Sequence, residues 1–442
     1  MFETVRKAFQ IKDIRKKIGF TFLMLIVIRL GSQLPTPGVN PEFITNFLET
    51  TNAGEAFNLL NAFTGGSFEN MSVFALSITP YITSSIIMQL LTIAIPKLEE
   101  MHNEGEEGRK KIVAITRYLT VGLSLAESAA MAIGFGQQGL LKTFNFVSCA
   151  IVVLTLTAGS AFLMWIGERI TENGIGNGIS VVLTINIISR IPGDLTSLFT
   201  QFVSGKSIAS GSMAAVIIIA IILAVILLTV ILNSGERRIP VQYSQKVVGR
   251  KTYGGQSSHI PLKVNTAGVI PIIFASSLMQ FPVLIAQFLG KNNGTGIGNE
   301  ILKGLSQSNW CNLSSWSNFK YTWGLLVYIV LTVFFAYFYT SITFNPVEVA
   351  NNMKKSGGFV PGIRPGKPTS EYLAKILKYT IFIGAVGLVV IQVIPIFFNG
   401  WKGASVSFGG TSLIIIVSVV LETLKQIEAL TVVRTYKGFL SA

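Results

Sequence analysis

"GFVPGIRPGKPT", residues 358–369, comes within two positions of a loop that cradles phosphate. Such a loop needs glycines that turn backbone N–H groups toward the phosphate oxygens, a lysine for the terminal phosphates and a Ser or Thr hydroxyl for magnesium. Here Pro361 stands at the first glycine position and Pro368 at the hydroxyl position, so both the turn and the metal contact are lost. "GIGNG" at Gly174–Gly178 lacks the strand that precedes a dinucleotide fingerprint and reads as a turn. His102 and His259 are the only histidines, and both fall in expected loops without an HExxH frame or a cysteine nearby. Cys149 and Cys311 show neither metal-ligand spacing nor a disulfide framework. No nucleophile has a base at a readable spacing. The expectation is a protein that is not an enzyme, with no catalytic residue, metal or cofactor assigned.

The elements that carry these residues are strongly apolar. Of 442 residues, 50% are hydrophobic and only 13% charged, and mean hydropathy is +0.58. Soluble domains carry about 25% charged residues. A helix of about 20 apolar residues rises roughly 30 Å and matches the hydrocarbon core of a bilayer. The chain reads as an all-α membrane protein. Its ten expected spans lie at roughly 18–34, 71–95, 112–134, 146–166, 179–199, 212–232, 267–289, 322–344, 375–397 and 407–424.

"MFETVRKAFQIKDIRKK" is basic and amphipathic, and no small-residue cleavage site follows the first apolar run, so 1–17 reads as a cytoplasmic N-terminus rather than a signal peptide. Basic residues concentrate at 6–17, 237–263 and 354–378, and the positive-inside rule places these stretches and both termini in the cytoplasm. The net charge of +14 then follows from topology and anionic lipid rather than from nucleic-acid binding. Two cytoplasmic loops, 233–266 and 345–374, are long, basic and rich in Gly and Pro. Loops of that length are usually functional or disordered. Alternation in "RRIPVQY" and "VVGRKTY" predicts a protruding hairpin in the first. Basic loops without chemistry suit docking of a large acidic partner, a nucleotide-driven motor or an RNA-rich particle.

The stretch "LLNAFTGGSFENMSVFALSITPY", residues 59–81, opens with a short apolar segment that breaks at Gly65 and Gly66. It is too short to cross a bilayer, and irregular backbone at membrane depth is tolerated only inside protein or beside water, so it implies a cavity. The two glycines allow a hinge.

Six motifs carry a resemblance. "FALSITPYITSSIIMQLL", "AGSAFLMWIGERITENGIGNGIS", "ERRIPVQY", "HIPLKVNTAGVIPIIFASS", "FNPVEVANNMKKSGGFVPGIRPG" and "FGGTSLIIIV" occur in order along nearly the whole chain. The chain resembles the SecY family, the central channel subunit of the bacterial protein translocase. The resemblance implies two inverted five-helix halves, 18–203 and 204–424, around an hourglass pore, with 425–442 as a cytoplasmic tail. It implies a plug half-helix at about 56–68, with Phe57, Leu60 and Phe63 under an apolar constriction and Gly65 and Gly66 as its hinge.

Ile78 and Ile82 stand i,i+4 in span two, and Leu183 and Ile187 repeat the spacing in span five, so each pair shares a helix face. Taken alone, such residues serve equally as core or lipid contact. By resemblance these four, with Ile273 and Ile415, form the pore ring. Resemblance also makes spans two, three, seven and eight a lateral gate, where Ser77, Thr83, Ser84, Ser276 and Ser277 permit close, weak helix contact. Arg238, Lys246, Arg250, Lys251 and Arg364 fall on the motor- and ribosome-docking loops.

The implied function is translocation of unfolded secretory polypeptides and lateral release of signal sequences into the bacterial plasma membrane. The implied partners are SecE, SecG, the SecA motor and the ribosome. A competing reading, an ion-coupled secondary transporter, is also built on about ten spans and broken helices. It would need ionisable residues at the midplane. Glu127 is the main central carboxylate, with Arg29 and Glu422 nearer span ends.

Overall fold

The computed structural model describes residues 6, 8–40, 43–44, 63–204, 208–243, 246–248, 251–253, 257–288, 297–311, 320–402 and 410–439. Helices occupy all ten expected span positions: α1 (Lys12–Gly31), α2 (Thr79–Ala94), α4 (Glu106–Phe135), α5 (Phe146–Asn173), α6 (Gly178–Phe202), α7 (Ile208–Ser234), α8 (Ile270–Phe288), α10 (Trp323–Thr343), α12 (Lys367–Lys402) and α13 (Gly410–Phe439). Short helices α3 (Pro96–Asn103), α9 (Ile297–Leu305) and α11 (Pro346–Lys355) lie between them. Among the described residues six helices are long and apolar enough to cross a membrane unaided, and a seventh if α2 and α3 count as one broken span. Arg15, Lys16, Lys17 and Arg29 interrupt the apolar run of α1, and the apolar stretch of α8 covers only Ile270–Val283.

The expected start of span two, at residue 71, is corrected. Positive φ angles at Gly65 (66°), Gly66 (84°), Met71 (44°) and Ser77 (53°) keep the chain in turns until Thr79, where Pro80 opens the helix. Proline is suited to the first turn, because its missing N–H would lack a partner there anyway. At the other end Pro96 breaks the element, and α3 leaves α2 at 101°.

The helices pair by a rule that repeats. Among the first five span helices the first packs on the fourth and fifth, the second on the third, the third on the fourth and the fourth on the fifth. The same rule holds for α7, α8, α10, α12 and α13 in that order. The two sets meet where α8 reaches α4 and where α13 and α7 reach α6. One five-helix arrangement, used twice, is the simplest account of that recurrence.

The first large loop forms a hairpin. Strand β1 (Glu236–Tyr243) pairs antiparallel with β4 (Ser257–Lys263), with Ile239 opposite Ile260 and Val241 opposite Ser258. The partner of "RRIPVQY" is therefore "SSHIPLK"; the expected second arm instead folds on itself as β2 (Lys246–Val248) against β3 (Lys251–Tyr253). Strand β5 (Gly358–Phe359), from the second large loop, joins the other edge of β1. Ile239, Val241 and Leu262 are buried on Ala350 and Met353 of α11 and Leu373 of α12. Both loops thus share one core and one sheet.

Candidate channel site

The six aliphatic positions singled out above fall in one apolar cluster. Ile78, Leu183, Ile187 and Ile415 are buried, and Ile82 and Ile273 pack against them half-buried. They come from α2 and its N-cap, α6, α8 and α13, so both five-helix sets contribute. Phe63, two residues ahead of Gly65, lies in the same cluster. A constriction lined by branched aliphatics offers water and ions no partners and closes by dewetting. The remaining expected plug positions, Phe57 and Leu60 with the rest of 56–62, lie outside the described residues.

Polar groups hold the chain beside this cluster; sequence reasoning named only Ser77 among them, as a gate residue, and missed Asn186, Ser189, Arg190 and Glu69. The Phe63 carbonyl accepts from Ser77 Oγ and from Asn186 Nδ2, each at 3.2 Å. Asn186 Nδ2 also lies 3.1 Å from Ser77 Oγ. Ser189 Oγ reaches the Gly65 carbonyl at 3.4 Å, and Arg190 Nη1 pairs with Glu69 Oε2 at 2.8 Å. A Cβ on Gly65 would stand 2.9 Å from the Asn186 backbone, so the positive φ and the close approach both demand glycine there. The available signal was a polar stripe: Asn186, Ser189 and Arg190 share one face of an otherwise apolar helix.

The expected gate residues divide. Ser77 is not on α2; it lies in the turn before it, and its hydroxyl serves Phe63. Thr83 and Ser84 bond the carbonyls of Thr79 and Pro80, and Ser276 bonds that of Ile273, so these hydroxyls are satisfied within their own helices. Ser277 is half-buried beside Ser276 on α8. Ile86 of α2 packs on the cluster shared by α8 and α10. A cavity of about 430 Å³, lined by Tyr81, Gln89, His102, Thr116 and Ser341 among others, separates α2, α3 and α4 from α10.

Of the expected docking residues, Arg364 is exposed in a turn between Gly362 and Gly366, both at positive φ, and its carbonyl is braced by Thr369 Oγ1 at 2.8 Å. Arg238 is held by Glu236, with its Nε 2.7 Å from the carboxylate. Lys246 and Lys251 belong to the tip strands, and Arg250 lies outside the described residues. His102 and His259 are exposed, and GIGNG is the turn between α5 and α6, where Asn177 caps α6 by accepting from the N–H groups of Ile179 and Ser180. Cys311, expected in a polar loop, is buried against α8 and α10. Asp194, inside α6, is a further carboxylate within an expected span. Between α8 and α10, Lys320 Nζ and the Tyr321 hydroxyl both reach Glu300 of α9, at 2.7 and 2.9 Å. The hydrogen bond from Lys320, then that from Tyr321, holds the Glu300 carboxyl below its ordinary range.

Apolar helices sharing an aliphatic cluster, with a segment of broken backbone beneath it and a joined basic platform at one end, define an all-helical membrane channel. A family model described as SecY matches residues 72–424. The protein translocase subunit SecY of Corynebacterium glutamicum is 41% identical, over 98% of this chain and 99% of its own. That of Halalkalibacterium halodurans is 41% identical over the full length of both. The solved structure described as "The structure of a protein conducting channel" superposes with a TM-score of 0.61 at 18% identity, over 93% of this chain and 91% of that one. Sec61 in the canine ribosome–channel complex gives 0.58 at 19% identity over the same shares. At those identities the structures speak for the fold alone. The chain belongs to the SecY family, and is a multi-pass protein-conducting channel subunit rather than a catalyst. That membership leaves the transporter reading without support.

Proposed function

We propose that the polypeptide path runs through the aliphatic cluster, with Ile78, Ile82, Leu183, Ile187, Ile273 and Ile415 as its collar. The observation that carries this reading is their convergence, from four helices of both five-helix sets, on one cluster that also holds Phe63. Placing an ion at the bilayer centre costs about 2.5–3.5 kcal/mol even on permissive scales, so a dry collar resists salts. Its side chains offer no fixed polar geometry, and they can therefore yield to any sequence. The segment around 56–68 closes the path from the outer side as a plug, and Gly65 and Gly66 are its hinge.

Signal sequences leave sideways between α2 with α4 and α8 with α10. Thr83, Ser84 and Ser276 spend their hydroxyls within their own helices, so this seam has no polar glue from them and can part. The halves 18–203 and 204–424 are related by inversion, since five crossings start the second on the opposite side from the first. The chain lies in a bacterial plasma membrane with both termini cytoplasmic. The joined basic loops face the SecA motor or the ribosome through Arg238, Lys246, Arg250, Lys251 and Arg364, and SecE and SecG complete the channel.

The test is a photocrosslinking probe at Ile82 or Ile187 in the assembled complex, with a secretory chain arrested in transit. Crosslinks from both positions to the arrested chain are expected. Crosslinks only from lipid-facing positions such as Leu223 would remove the path from the collar.

A further inference from the structure

We infer that Ser77, Asn186, Arg190 and Glu69 form a latch that ties plug release to widening of the collar; this rests on the plug reading above. Two of the four are chain neighbours of collar residues: Ser77 precedes Ile78, and Asn186 precedes Ile187. The hydrogen bond between Asn186 Nδ2 and Ser77 Oγ, 3.1 Å long, therefore bridges the roots of α2 and the middle of α6. Both groups also donate to the Phe63 carbonyl, at the base of the plug segment. A translocating chain that pushes Ile78 away from Ile187 must pull Ser77 from Asn186. The Phe63 carbonyl then loses one or both donors, and its hold on the pore lining goes with them.

A second contact lies further along the same segment. Arg190, one turn beyond Asn186, pairs with Glu69 at 2.8 Å, with both side chains only partly exposed. Ser189 adds a longer bond to the Gly65 carbonyl. The buried bonds among Ser77, Asn186 and the Phe63 carbonyl are asymmetric: each is modest when made, but a donor or acceptor left without a partner away from water is costly. The arrangement therefore favours two states, fully latched or fully released into a wet channel. Gly65 is the pivot, because any side chain there meets the Asn186 backbone at 2.9 Å and wedges the segment off α6. The function of these four residues is to set how strong a push opens the channel.

The experiment uses the assembled translocation complex in planar bilayers and in proteoliposomes. Resting ion conductance and export of a precursor with a defective signal sequence are read for Asn186→Ala, Ser77→Ala, Arg190→Glu, Glu69→Arg, the Arg190→Glu/Glu69→Arg double variant and a deletion of 56–62. Each single variant is expected to raise resting conductance about fivefold or more, as expected for loss of one buried bond, and to admit the defective precursor. The charge-reversed double variant is expected to return near the parent, which a loss of general stability would not do. Parent-like conductance in all four single variants, beside a leaky deletion, overturns the latch and leaves the plug standing. A deletion that does not leak overturns the plug reading, and the latch falls with it. Leak in Arg190→Glu that Glu69→Arg fails to correct overturns the ion pair as part of the latch.

Discussion

Ile78 and Ile187 meet in one apolar cluster from unlike positions: Ile78 is the N-cap residue just before α2, while Ile187 sits well inside α6. If that cluster is the collar proposed above, it can widen by fraying a turn, without unwinding a span.

Polar substitution in that collar should wet it. Ile78→Asn with Ile273→Asn places two amides where none stood, and each polar group buried without a partner costs roughly 1–3 kcal/mol, a penalty that entering water relieves. Resting ion conductance of the reconstituted channel should rise about tenfold or more, and the need for a strong signal sequence should relax. Conductance equal to that of the parent would place these residues off the path.

Reversing the charge at Arg364 should uncouple the driver without disturbing the channel. Its side chain is exposed and its backbone is braced by Thr369, so Arg364→Glu leaves the turn intact. Motor-driven export in vesicles should fall about tenfold, the scale of losing a charge contact at an interface. Complex yield should stay unchanged, and export at the parent rate would strike Arg364 from the docking surface.

The contact of α9 with the start of α10 should be intolerant of a single methyl group. Trp310 Nε1 donates to the Gly304 carbonyl at 2.7 Å, and a Cβ on Gly324 would lie 1.8 Å from that carbonyl oxygen and 2.4 Å from the indole nitrogen. Gly324→Ala must break the bond or shift α10, costing roughly 1–3 kcal/mol. A lower thermal midpoint with red-shifted tryptophan emission is expected from the purified complex; unchanged values would mean that the contact yields freely.

The clasp between Glu300 and Lys320 should open in acid. The Glu300 carboxyl is held below its ordinary value of 4.5, so its contribution is present above that value and lost as pH falls through the depressed one. Lys320 is raised above 10.5 by the same bond, so its contribution persists below that value and is lost only when pH rises past the raised one. Proteolysis of the loop that carries Lys320 by an acid-tolerant protease should accelerate as pH falls below 4.5 in the parent but not in Glu300→Gln. Equal acceleration in both would assign the opening to other groups.

Hydropathy made the span positions legible, because a bilayer demands long apolar runs and little else produces them. It misplaced the start of α2, since "ENMSVFALSI" is apolar enough for a helix while the turn conformations at Met71 and Ser77 leave no mark on composition. The hairpin was visible from alternation, but its pairing was not: two stretches alternate equally well, and the longer register went to "SSHIPLK". Ser77 was assigned to the gate from its neighbourhood, whereas its partner is a backbone carbonyl fourteen residues earlier. Asn186 was invisible for the same reason. One of its two acceptors is the Phe63 main chain, 123 residues away, and no side-chain pattern announces a carbonyl.

Strand β1 is shared property. One edge zips to its own hairpin, and the other, through Gln242 and Tyr243, to the two residues of β5. A partner that gripped either of the two large loops would therefore grip both, and its push would enter α12, the 36-residue helix that follows β5 and leans on α7, α10 and α13. Such a joint would work as a lever with one handle: wherever the push is applied, it arrives through the same helix.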